Sequence, residues 1–168
     1  MLKEVQKLAL QKSVLVVAPL NNNIYSTVVY TQQSSTYLVE RVDVVMNKIC
    51  VLFGSTLQGR INAARDLFQT KKPVPVLVLA SPSPTYIVAL PLPVAGNKKD
   101  CMWIFTTNFD VVELGPSNSK ITIANLSFDV PVSKSYIIEQ KNRAHHVLDS
   151  FVFKYLKYYV DEYFSENF

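Results

Sequence analysis

Residues 13–38 read SVLVVAPLNNNIYSTVVYTQQSSTYL, and their pattern decides the fold class. Two runs rich in β-branched and aromatic residues, SVLVVAPL and IYSTVVYT, are followed by the turn-forming segments NNN and QQSST. This pattern is typical of short strands joined by turns. Connections of this length cannot hold a helical crossover, so neighbouring strands are expected to pair antiparallel.

The same pattern continues to about residue 132, and a helical pattern then extends almost to the end of the chain. We predict an α+β fold with a mainly antiparallel β-sheet or barrel-like core of roughly eight or nine strands. One inserted helix is expected at about residues 55–69, and C-terminal helices at about 135–165. The further predicted strands are YLVERVDVVM (37–46), ICVLF (49–53), PVPVLVLA (73–80), TYIVALPL (85–92), CMWIFTTNFDVVEL (101–114) and KITIANLSFDVPV (120–132).

Composition limits the classes of protein that remain. A chain of 168 residues with 49% hydrophobic and 18% charged residues is expected to form a single globular domain. It divides into a β-rich part, 1–132, and a helical part, 133–168. Neither a secretory signal nor an apolar run long enough to span a membrane is present, which predicts a cytoplasmic protein. The net charge of +4 mildly favours a polyanionic partner.

The segment GSTLQGR, residues 54–60, has nearly the glycine spacing of a phosphate-binding loop. Such a loop needs a lysine and then a Ser or Thr for magnesium, but this chain has Arg60 and Ile61 there. A nucleotide-binding enzyme therefore remains only an alternative. We interpret the segment as the start of the inserted helix, capped by Ser55 or Thr56, whose amino end offers free amides to a phosphate.

The residues that could support catalysis or metal binding are few. His145 and His146 are adjacent, so on a helix they point about 100° apart and cannot chelate one metal from the same face. One of them is expected in the core and one on the surface. Cys50 and Cys101 lie in apolar, strand-like segments and are expected to be reduced core residues. The sequence thus predicts no enzyme, no metal and no cofactor.

Basic residues form the clearest remaining pattern. They occur in clusters on the inserted helix, after it, in a later loop and in the C-terminal region, and such clusters can neutralise phosphates. Arginine can also enter a narrow minor groove, where the potential is most negative. The clusters are Arg60 with Arg65, Lys71 with Lys72, Lys98 with Lys99, and Lys134, Lys141 and Arg143.

Several short motifs together resemble those of the ComK competence transcription factors. Cys50 and Phe53 precede Gly54, Ser55, Thr56, Gly59 and Arg60, which is similar to the family's F-G-S-S-x-x-G-R run. The order continues with Lys71-Lys72-Pro73, then CMWI at 101–104 for the family's C-G-W-I, VPVS at 130–133 for L-P-I-S, and Gln140 and Arg143 in the next helix. The resemblance covers residues 49–150. Ile61 and Met102 depart from the family pattern, where a basic residue and a glycine are expected.

The resemblance implies a cytoplasmic, nucleoid-associated DNA-binding activator of genes for DNA uptake and transformation. It implies recognition of paired A/T-rich boxes mainly through the minor groove and the phosphate backbone, as a homodimer or higher oligomer, and control by an adaptor that delivers the protein to a Clp protease. A protein-interaction module without DNA affinity remains the alternative. The DNA-binding residues expected on this basis are Arg60, Arg65, Lys71, Lys72, Lys98, Lys99, Arg143, Ser55, Gly54 and Gly59.

Three further expectations concern single residues and the end of the chain. Arg143 has an alternative role in a salt bridge with Glu139, one turn earlier on its helix. Phe53, Cys101 and Trp103 are expected in the core. The aromatic C-terminal segment is assigned to dimerisation or regulatory contact, with core packing as the alternative.

Overall fold

A computed structural model describes residues 2–79 and 86–165 of the chain. Within these residues the protein has four helices and nine strands, arranged as two antiparallel sheets. The predicted α+β fold with antiparallel pairing is therefore confirmed. The elements are α1 (Leu2–Leu10), β1 (Val14–Pro19), β2 (Thr27–Thr31), β3 (Ser35–Leu38), α2 (Val42–Leu52), α3 (Leu57–Phe68), β4 (Val76–Leu79), β5 (Ile87–Val94), β6 (Asn97–Ile104), β7 (Asp110–Gly115), β8 (Asn118–Ile123), β9 (Leu126–Val130) and α4 (Lys134–Ser165).

The large sheet has six strands in the order β3-β2-β1-β6-β5-β4, and every neighbouring pair is antiparallel. The turn segments NNN and QQSST do join consecutive paired strands, as the sequence predicts. A small sheet, β7-β8-β9, follows. Over the described residues both sheets stay open, with β3 and β4 at the edges of the large one, and neither closes into a barrel.

The large sheet separates two apolar layers. Because successive side chains of a strand point to opposite faces, Val16 and Val17 of β1 enter different clusters. Val17 packs in the cluster that holds the buried residues of α1, α2 and α3. Val16 packs in the cluster that holds the buried residues of α4 and of the small sheet. The helices α1, α2 and α3 therefore cover one face of the sheet, while α4 and the small sheet cover the other.

Residues 42–52 form a helix where the sequence predicts strands. The predicted strands YLVERVDVVM and ICVLF are wrong there, because α2 spans Val42–Leu52 and Cys50 lies in that helix. The buried residues of α2 recur at the spacing of one helix face, but its many valines suggested strands. They are Val42, Val45, Met46, Ile49 and Cys50. Helix α1, Leu2–Leu10, was not predicted either.

The other helices agree better with the sequence. The inserted helix α3 spans Leu57–Phe68, inside the expected 55–69. The C-terminal region is one continuous helix, α4, rather than several. Both His145 and His146 are exposed, so the expectation of one core histidine is wrong. Along residues 2–79 and 86–165, none of the helices combines the length and apolar character that crossing a membrane requires.

Candidate nucleic-acid interface

The turn between α2 and α3 is built by two glycines with different tasks. Gly54 has a φ of +88°, a left-handed conformation that favours glycine, and its N–H donates to Val51 O at 3.1 Å as α2 ends. Gly59 lies in the first turn of α3, where a Cβ would come within 3.1 Å of Ser55 Oγ and 3.2 Å of Thr56 Oγ1. The backbone geometry of the turn between α2 and α3 therefore accounts for both glycines.

Most backbone N–H groups at the amino end of α3 have hydrogen-bond acceptors within the protein. Thr56, rather than Ser55, is the cap, and its Oγ1 accepts from the N–H of Gly59 at 3.1 Å. The N–H of Leu57 donates to Asn47 Oδ1 at 3.0 Å. Two of the amides that were expected to be free for a phosphate thus have internal partners. The hydroxyl of Ser55 remains exposed beside them.

Arg60 points into the protein. Its Nη1 donates to Leu77 O of β4 at 2.5 Å, and its Nη2 donates to Phe53 O at 2.7 Å and to Cys50 O at 3.4 Å. Partial burial lowers the pKa of the guanidinium from its ordinary value, although the neighbouring Cys50 raises it in part. Arg60 therefore ties the end of α2 to the edge of the large sheet through three carbonyls. A contact of Arg60 with DNA stays a prediction.

Arg65 has a different environment five residues later. It is half-buried, and among the described residues its side chain has neither a carboxylate nor a carbonyl within hydrogen-bonding distance. It lines an open groove of about 400 Å³ at the carboxyl end of α3. The other lining residues are Asn62, Asp66, Gln69, Thr70 and Lys71. A guanidinium and an ammonium group are therefore available on one concave surface.

The turn Lys71–Pro73 joins this groove to a second one. Lys71 and Lys72 are exposed, and neither forms a salt bridge among the described residues. Pro73 lines the second groove, of about 460 Å³, together with Lys99, whose side chain is exposed. The fold thus brings Lys99, which is distant in sequence, into the groove that Pro73 lines, while Arg65 and Lys71 line the groove before it. The side chain of Lys98 lies outside the described part of the structure.

Gln140 of α4 holds the turn in place. It is buried, and its Nε2 donates to Pro73 O and to Tyr136 Oη, each at 3.2 Å. In the sequence Gln140 is recognisable only as part of a motif, because the local pattern does not contain its long-range partner. An amide at a buried helix position was the one available signal, since such a group needs a hydrogen-bond partner.

The bases of α4 are largely engaged. Arg143 Nη2 lies 2.6 Å from Glu139 Oε1, so the alternative role in a salt bridge is confirmed. The guanidinium also lies 5.7 Å from the ring centre of Phe68 of α3. Lys141 Nζ donates to Phe109 O at 2.7 Å. Arg143 therefore braces α4 against the inserted helix, and Lys134 is the exposed base of this group.

The expected core residues differ in depth. Trp103 is buried as predicted, whereas Phe53 and Cys101 are partly buried against the same cluster. Burial raises the pKa of the Cys50 thiol to about 11 and that of Cys101 to about 12. Both thiols therefore stay protonated near neutral pH and are poor nucleophiles. From residue 155 onward, apart from Lys157, the side chains of the aromatic segment lie outside the described residues.

Exposed bases grouped around one helix end are typical of proteins that bind polyanions. A sequence model of the ComK protein family matches residues 5–153 of the chain. The chain therefore belongs to the ComK family, which is a family of competence transcription factors and not of enzymes. No curated protein and no solved structure matches the chain.

Proposed function

We propose that this protein activates competence genes by binding A/T-rich double-stranded DNA through the minor groove and the phosphate backbone. The observation that carries the proposal is the placement of four bases along the two grooves that meet the Lys71–Pro73 turn. Arg65 and Lys71 line the first groove, Lys99 lines the second with Pro73, and Lys72 is exposed in the turn. Lys99 comes from a distant part of the chain, and none of the four side chains forms a salt bridge among the described residues. Membership in the ComK family makes DNA the polyanion that fits this surface best.

The residues of the surface have separate roles in this proposal. Arg65 is the minor-groove reader, because a guanidinium is attracted to the strong negative potential of a narrow A/T-rich groove. Lys71, Lys72, Lys98 and Lys99 neutralise backbone phosphates. Gly54, Ser55 and Gly59 are exposed. The absence of a side chain at the two glycines and the small hydroxymethyl group of Ser55 permit close approach of the phosphate backbone to the turn. Arg60 and Arg143 hold α3 in position. Arg60 bonds α3 to the end of α2, and Arg143 of α4 packs over Phe68 of α3.

Two further parts of the proposal concern partners. Paired A/T-rich boxes require at least two copies of the surface, so the protein acts on DNA as a homodimer or a higher oligomer. A nucleoid-associated activator of this kind is controlled by its abundance, which fits removal by a Clp protease through an adaptor. The proposal needs no cofactor, because binding and bending of DNA draw on contacts alone.

The test is a DNA titration at two or more salt concentrations, with A/T-box and G/C-rich duplexes of equal length. We expect the A/T duplex to bind more tightly and the affinity to fall steeply with salt. Arg65→Ala should weaken binding to the A/T duplex about 10-fold and lower the salt slope by about 1. Lys71→Ala should lower the salt slope similarly, with less change in sequence preference.

Lys120→Ala is the matched control, because Lys120 is an exposed base on β8 of the small sheet, and its loss removes the same charge. It should bind like the parent protein. If Arg65→Ala also binds like the parent, the assignment of the surface is wrong. If the G/C-rich duplex competes as well as the A/T-rich one, the proposed mode of recognition fails.

A further inference from the structure

The strand β3, Ser35–Leu38, is an open edge of the large sheet. Among the described residues β2 is its only hydrogen-bonded neighbour. Hydrogen-bonded and non-bonded pairs alternate along an antiparallel ladder, and the N–H of Thr31 donates to Ser34 O at 2.8 Å. The ladder places Ser35 opposite Tyr30 and Tyr37 opposite Val28. The backbone groups of Ser35 and Tyr37 therefore point away from β2, towards the free edge.

The other edges of the two sheets are protected against further pairing. At β4, Arg60 occupies the carbonyl of Leu77. Strand β4 pairs with β5 only as far as Ala89 of β5, so the following part of β5 lies at the edge of the sheet. This part carries Pro91 and Pro93. Proline has no N–H to offer a neighbouring strand. The edge strands of the small sheet carry Asp110 and Glu113 in β7 and Asp129 in β9, and edge charges oppose strand addition.

The edge at β3 has none of these protections. Residues 13–39 contain no Asp, Glu, Lys, Arg or His, and β3 contains no proline. Apolar side chains surround the edge instead: Ile24 is 71% exposed, Val39 58% and Tyr37 44%. Tyr37 also packs against Tyr25, with ring centres 5.7 Å apart. An uncharged edge with exposed apolar neighbours is the kind of strand that pairs with another chain.

We infer that β3 pairs antiparallel with β3 of a second copy of this chain, around a two-fold axis at Thr36. In this register Ser35 of each copy lies opposite Tyr37 of the other, and their outward backbone groups exchange about four hydrogen bonds. The same surface serves both copies, as a two-fold interface requires. Since residues 13–39 carry no charge, bringing the two edges together creates no like-charge repulsion. The large sheets of the two copies become one continuous sheet.

This inference deepens the proposed function and rests on it for the use of the dimer at paired boxes. The self-association itself needs no DNA. A neutral interface should hold at both low and high salt, whereas binding to phosphates weakens steeply with salt. Failure of DNA binding and failure of dimerisation are therefore separate results.

The register is tested by disulfide cross-linking. In Thr36→Cys the two introduced residues form a non-hydrogen-bonded pair across the axis, with Cβ atoms about 4.5–5.5 Å apart. We expect oxidation to give a covalent dimer. Ser35→Cys is the matched control, because its two copies lie on a diagonal about 7–8 Å apart and should cross-link far less. Burial raises the pKa of both native thiols, so their contribution to the background is small.

The edge itself is tested by sedimentation velocity at several protein concentrations without DNA. We expect a dimer for the parent protein and a monomer for Tyr37→Lys, which places a charge on the edge, and for Ser35→Pro, which removes an outward N–H. Val112→Lys is the control, because Val112 is exposed on β7 of the small sheet. It should remain a dimer. Circular dichroism identifies any variant that does not fold.

The inference is overturned if the parent is monomeric at high concentration. It is also overturned if folded Tyr37→Lys and Ser35→Pro associate like the parent. Equal cross-linking of Thr36→Cys and Ser35→Cys would exclude the register. If both edge variants fail to fold, the cross-linking result decides the question by itself.

Discussion

Arg60 and Arg65 lie on one helix, five residues apart, and differ in what surrounds them. Arg60 reaches the end of α2 and the edge strand β4, where the carbonyls of Cys50, Phe53 and Leu77 accept its hydrogen bonds. Arg65 reaches a groove at the other end of α3, where the described residues provide it with no such acceptor. Five residues correspond to about 140° of rotation around a helix, so the two side chains point in different directions.

The difference shows why a count of basic residues does not locate a binding surface. A helix end leaves carbonyls without partners, and an arginine nearby can satisfy several of them at once. Such an arginine contributes to folding and has fewer donors left for a ligand. A base with no internal acceptor keeps its charge and its exposed donors available to a ligand. Measurements of stability and of DNA binding on the same variants separate the two kinds of residue.

The largest effect is expected from Arg60→Ala. Removing the guanidinium leaves the partly buried carbonyls without their donor, and we expect a loss of about 3 kcal/mol in the free energy of unfolding. Arg65→Ala should change it by less than about 0.5 kcal/mol. Urea unfolding followed by circular dichroism measures both. If Arg60→Ala is as stable as the parent and yet loses DNA binding, Arg60 itself contacts DNA, as the sequence predicts.

A smaller effect is expected from Gln140→Met, which keeps the volume but removes the hydrogen bond to Pro73 O. We expect a loss of about 1.5 kcal/mol in stability, because the side-chain hydrogen bond that links α4 to the Lys71–Pro73 turn is removed. DNA affinity should fall although no charge is removed, since the Lys71–Pro73 turn is no longer held by α4. Gln58→Met, at an exposed position of α3, is the control and should change neither quantity. Unchanged DNA affinity in Gln140→Met would show that the turn needs no support from α4.

The smallest effect is a loss of stability at alkaline pH, caused by the thiol of Cys50, whose carbonyl accepts a hydrogen bond from Arg60. Burial raises the pKa of the Cys50 thiol to about 11, above its ordinary value of 9.0. Between these values the unfolded chain has released the proton and the folded protein has not, so stability falls as pH rises. Cys50 should contribute a loss of about 1 kcal/mol between pH 9 and pH 10. Unfolding curves of the parent and of Cys50→Ala measure it, and equal pH slopes would contradict the raised pKa.

The fold class was accessible from the sequence where residue type and spacing agree. Residues 13–38 form β1, β2 and β3, because β-branched runs alternate there with Asn, Gln and Ser turns. The inserted helix was recognisable from its cap and its apolar stripe. Helix α2 was missed because its valines favour strands in isolation, while burial against the sheet favours the helical spacing.

The candidate site was only partly predictable. Lys71, Lys72 and Pro73 form a visible local motif, and their exposure agrees with it. The neighbourhood of Lys99 and Pro73, and the bond from Gln140 to Pro73, depend on segments that are far apart in the chain. The hydrogen bonds of Arg60 to the carbonyls of Cys50 and Phe53 depend on where α2 ends, and the local sequence predicts a strand at that place.

The sequence by itself determined the antiparallel strands, the inserted helix, the basic character and the family, because these follow from residue type, local spacing and short motifs. The tertiary structure alone decided which bases face inwards, which of them share the surface at the Lys71–Pro73 turn, and which sheet edge stays open. Each of these depends on hydrogen-bond acceptors and neighbours supplied by distant segments. A local pattern cannot specify those partners before the chain has folded.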